Sequence, residues 1–74
     1  MKLYGFFYCP CIYESAPGLM SLHKSKDGAE KAMKAHKAKE KIMWARIYDD
    51  EEERKEFPFG SHERWDVQEV EVLD

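Results

Sequence analysis

Residues 3–9 read LYGFFYC, seven residues rich in β-formers with one breaker, Gly5. Such a run predicts a strand. Its alternation places Leu3, Phe7 and Cys9 on one face and Tyr4, Phe6 and Tyr8 on the other, so both faces are apolar. An edge strand with one wet face would alternate apolar and polar; this one reads as the centre of a sheet. Pro10 brings no backbone N–H, and regular pairing should end there.

The rest of the chain arranges itself around that strand. The stretch PCIYESAPG (10–18) is a loop closing on the Pro17-Gly18 turn signal, and Leu19–His23 resumes as a second short strand. In SKDGAEKAM, Ser25 is placed to cap a helix with Asp27 in its first turn. Apolar positions Ala29, Ala32, Met33, His36, Met43, Trp44 and Ile47 then share one helical face, while Lys31, Lys34, Lys37 and Lys41 take the other. The pattern carries the helix to about Tyr48, longer than any strand here can cover, so it must protrude, bend or break. DDEEERKEFPFG (49–60) reads as a further acidic helical turn or a solvated loop. ERWDVQEVEVL (63–73) reads as the last strand. Its apolar residues change phase between Trp65/Val67 and Val70/Val72, which a bulge at Gln68-Glu69 or burial on both faces would produce.

The expectation is therefore one α+β domain over residues 1–74 with order β-β-α-β. It is a three-stranded antiparallel sheet of order 2-1-3 with one long helix on one face. One helix covers one face of three strands. The opposite face, Tyr4, Phe6 and Tyr8 or else Leu3, Phe7 and Cys9, would be bare and available to a partner or a second copy.

Composition narrows the function classes. Seventy-four residues make one small domain, and 14% aromatics give it large rings to bury. The net charge is only −3, but residues 24–41 carry seven lysines against three acids, while residues 49–56 carry six acids against two bases. These charges suit solvated faces, and the acidic stretches disfavour nucleic-acid binding. No secretory signal or membrane-spanning run is read, which gives a cytoplasmic expectation with reduced thiols. No nucleophile elbow or phosphate loop is present and the carboxylates sit in solvated runs, so no catalytic residue is assigned and an enzyme is not expected.

Two chemical sites remain to be weighed. Cys9-Pro10-Cys11 is one residue shorter than the C-P-x-C of thiol-disulfide enzymes. In extended chain the two residues stand about 6.5–7 Å apart, the limit of disulfide geometry. Cys9 and Cys11 project to one side, and His23 on the adjacent strand is the best-placed third ligand for a small zinc domain. That is the minority reading beside a domain with no cofactor.

The segments SLHKSKDGAEKAMKAHK and ERWDVQEVEVL resemble a family of short uncharacterised phage and bacterial proteins. The pattern is a Ser-Lys helix start, an Ala-Glu-Lys-Ala helix and a Trp/Val-Glu final strand, spanning residues 19–73. The resemblance implies no catalytic residues. It implies a phage-encoded inhibitor or modulator of a host protein as a concrete form of the interaction reading. Tyr4, Phe6, Tyr8, Tyr13 and Trp44 are the expected partner-binding residues, because aromatic side chains anchor interfaces.

Overall fold

The computed structural model describes residues 1–73. Strand β1 spans Lys2–Cys9, β2 Gly18–His23, helix α1 Lys26–Ile47, helix α2 Glu51–Glu56 and β3 Arg64–Glu71. The sheet is antiparallel with order β2-β1-β3, and α1 lies on one face of it. The expected architecture, with LYGFFYC at its centre, is what the chain adopts.

Register decides which face the helix takes. Directly opposed residues in an antiparallel pair point to the same side. Tyr4, Phe6 and Tyr8 pair with Glu69, Val67 and Trp65 of β3. Val67 and Trp65 thus add apolar bulk beside Phe6 and Tyr8, and this is the side α1 covers. His36 of α1 stands with its ring centroid 5.4 Å from Phe6 and 4.5 Å from Tyr8, and its Nδ1 accepts a 3.0 Å hydrogen bond from Trp65 Nε1. Ala29 is fully buried and Phe6 is 3% exposed. A methyl at position 29 lets the first turn of the helix approach the sheet closely.

The helix starts where the sequence places it. Ser25 Oγ accepts from Gly28 N at 3.1 Å, and Asp27 sits in the first turn near the positive end of the dipole. At 22 residues α1 is about 33 Å long, against about 26 Å for the eight residues of β1. The predicted conflict resolves by protrusion: the molecule measures 51 × 24 × 12 Å, long and two layers thick.

The overhanging end is held by the segment after it. Residues 49–56, ambiguous from sequence, contain a real helix, α2, with Asp50 Oδ1 accepting from Glu52 N. Its Arg54 donates to the carbonyl oxygens of Tyr48 and Ala45, a cation set against the negative end of α1. Trp44 Nε1 donates to Phe57 O at 2.9 Å. Rings then run in contact from sheet to tip: Tyr8, Trp65, Phe59, Trp44, Tyr48 and Phe57. Gly60 turns this loop at φ +78°, a conformation that favours glycine.

One strand detail decides between the two causes read from the sequence. The β1–β3 ladder runs unbroken from Lys2↔Glu71 to Cys9↔Arg64, with no bulge at Gln68-Glu69. The phase change of β3 has the other cause: Trp65 and Val67 face the helix, and Val70, opposite Leu3, faces away. The irregularity lies in β2, where Phe6 pairs with Ser21 and Phe7 with Leu19, leaving Met20 as the extra residue.

Candidate interaction surface

The face turned away from α1 carries Leu3, Gly5, Phe7 and Cys9 of β1. Leu19 and Leu22 of β2 stand opposite Phe7 and Gly5, and Val70 of β3 stands opposite Leu3. No secondary element lies over these side chains among the described residues, and the chain covers them only thinly. A Cβ on Gly5 would fall 2.8 Å from Phe7 Cε2 and 3.0 Å from Leu19 Cδ1. The Phe7 ring therefore leans over the glycine with Leu19 beside it, and Gly5 is buried although no helix covers it. At the far end the 10–17 loop folds back. Cys9 Sγ donates to Ser15 O at 3.1 Å, and Cys9 is 2% exposed. Between these two covers the β2 side stays open, with Leu19 and Leu22 each about half exposed (51% and 47%).

The two edges differ in the same sense. β3 bears Arg64, Asp66, Glu69 and Glu71, and on the uncovered face Arg64, Asp66 and Gln68 form a polar row. Asp66 Oδ1 accepts from Val67 N and Oδ2 from Gln68 Nε2, so this row is internally bonded. β2, GLMSLH, has no Asp, Glu, Lys or Arg. Charge is a common means by which an edge strand resists pairing with other chains, and only β3 uses it; β2 has just the Met20 bulge. Apolar face and uncharged edge meet along β2.

The sequence-predicted residues are distributed as follows. Tyr4, Phe6 and Tyr8 lie between sheet and helix. Phe6 is core, and Tyr8 Oη donates to Glu63 Oε1 at 3.2 Å. Burial first, and then the Glu63 carboxylate, push the Tyr8 phenol well above its ordinary pKa. Trp44 belongs to the ring cluster at the helix tip. Tyr13 is 76% exposed in the 10–17 loop, edge-on to His62. The open face is instead built from Phe7, Leu3, Leu19, Leu22 and Val70. The available signal was GLMSLH itself, a short strand with three large apolar residues and no charge.

Cys9, Cys11 and His23 are not brought together. Cys9 is on the uncovered face, while His23, opposite Tyr4, faces the helix side and hydrogen-bonds Ser21 Oγ at 2.7 Å. The Cys11 carbonyl closes a turn by accepting from Glu14 and Ser15 N–H, and both cysteines are free thiols. Among the described residues no three His, Cys, Asp or Glu side chains are grouped as metal ligands, and no helix is long and apolar enough to cross a membrane.

No protein-family model matches this chain, and no curated protein or solved structure is significantly similar to it.

Proposed function

We propose that the chain is a small protein-interaction module and that the β2 side of its uncovered sheet face is the docking surface. The observation that carries this reading is the pairing of half-exposed Leu19 and Leu22 beside Phe7, along an edge strand without charge. Apolar side chains grouped this way gain roughly 25 cal/mol for each Å² removed from water. A second copy is the simplest occupant. Two such faces related by a two-fold axis bring Leu19 and Leu22 against their equivalents, and leave Arg64 and Asp66 of each copy at the rim, where opposite charges can meet. The resemblance to short phage proteins gives the module a setting, modulation of a host protein through the same surface.

Sedimentation of the protein over a wide concentration range tests this, alongside the double variant Leu19→Lys/Leu22→Lys. The expected result is a concentration-dependent dimer for the natural sequence and a monomer for the folded variant. A natural protein that stays monomeric throughout removes the second copy as occupant. A folded variant that associates unchanged removes the surface.

A further inference from the structure

The tip of the molecule holds a feature that docking through the sheet leaves unused. Trp44 of α1 and the C-cap residue Tyr48, with the 57–63 segment and Pro10, line a half-open pocket of about 150 Å³. Cavities of that size accommodate a benzene-sized guest. Four of the lining residues are Trp, Tyr or Phe, namely Trp44, Tyr48, Phe57 and Phe59, and the His62 imidazole lines it as well. One carboxylate, Glu63, also lines it. Glu63 Oε1 takes the Tyr8 hydrogen bond, but Oε2 is shielded from solvent with no hydrogen-bond partner. A buried polar atom without a partner is costly, and a carboxylate oxygen more so than most.

We infer that this pocket binds an organic ammonium group. Aromatic faces attract cations through their quadrupoles, and the Glu63 carboxylate supplies an opposing charge at short range. One of these rings already does this within the chain: the Arg54 guanidinium lies 5.4 Å from the Trp44 ring centroid. No lysine or arginine lines the pocket. The acidic segment 49–56 leads directly into Phe57 and adds a field that draws cations. A bare divalent metal is a poor match, because Glu63 and His62 are the two ligating side chains of the lining and the described residues hold no group of three. An alkylammonium group uses the rings and the carboxylate. It can arrive as a free methylated amine or at the end of a methylated lysine side chain of another protein.

NMR titration following the two tryptophan indole N–H signals tests the inference. The probes are tetramethylammonium, the uncharged and similar-sized tert-butanol, and N-acetyl-trimethyllysine amide. The ammonium probes should shift the Trp44 signal saturably and bind at least tenfold more tightly than tert-butanol. Glu63→Gln, which keeps an acceptor for Tyr8, should erase most of that tenfold preference. Phe59→Leu, which removes one ring, should weaken the ammonium probes by several-fold. Tighter binding of the trimethyllysine amide identifies a protein side chain as the source; tighter binding of tetramethylammonium identifies a free amine. Absence of a saturable shift in the natural protein, equal binding of tert-butanol, or an unchanged preference in folded Glu63→Gln overturns the inference.

Discussion

The two faces of β1 start from similar sequence and meet different fates. Tyr4, Phe6 and Tyr8 face Val67, Trp65 and the helix, and their side contains Phe6 and Ala29, two of the most buried residues of the molecule. Leu3, Phe7 and Cys9 face outward. They are protected by a leaning ring, one leucine and a returning loop rather than by a layer. Hydrophobicity along a central strand states that both faces want cover. It does not state that the chain has enough material to cover both.

Three changes probe this contrast. Phe6→Ala removes a ring from beneath α1 and should cost about 3–5 kcal/mol. For a domain of this length, stable by about 4–11 kcal/mol, that is a large fraction of the total. Leu19→Ala on the outer face should cost under about 1 kcal/mol in the monomer, since half of that side chain is already in water. Urea midpoints of the two variants measure the difference, and equal losses would erase the distinction between the faces.

Gly5→Ala tests the thin cover itself. The new methyl meets Phe7 Cε2 at 2.8 Å and must push the ring outward, at about 1–3 kcal/mol. Thermal unfolding should show the loss, and Phe7 should become more exposed. A neutral substitution would mean that the ring does not seal the glycine.

The smallest effect concerns the covered face and is a matter of pH. The Tyr8 phenol is raised in the folded protein, by burial first and by Glu63 second, from an ordinary value of 10.0. Above about pH 10 the unfolded chain loses this proton while the folded one keeps it, so stability is fully present below that pH and falls as pH rises through it. Tyr8→Phe should flatten the decline in alkaline urea titrations. An identical slope in that variant would remove Tyr8 as its cause.

Much of the fold was readable from residues alone, for local reasons. LYGFFYC, the Ser25 cap and the lysine-opposed helix stripe each carry their own signal, and strand order followed from an apolar strand needing neighbours on both sides. What was not readable depends on register. The side taken by α1 is set by Trp65 and Val67 falling opposite Tyr8 and Phe6, and the bulge at Met20 rather than Gln68-Glu69 is a property of the β1–β2 pairing. For the same reason three of the residues chosen as interface anchors for their size, Tyr4, Phe6 and Tyr8, lie beneath the helix. The aromatic pocket joins α1 to residues 57–63 and Pro10, a contact between distant segments that no local pattern announces.

The protruding half of α1 offers a rival apolar surface, with Ile42, Met43 and Ile47 exposed. Amide chemical shifts followed by NMR during dilution separate the two surfaces directly. Association through the sheet face predicts concentration-dependent shifts at Leu3, Phe7, Leu19 and Leu22, with little change along residues 42–47. Shifts confined to Ile42, Met43 and Ile47, with β1 and β2 silent, would contradict it.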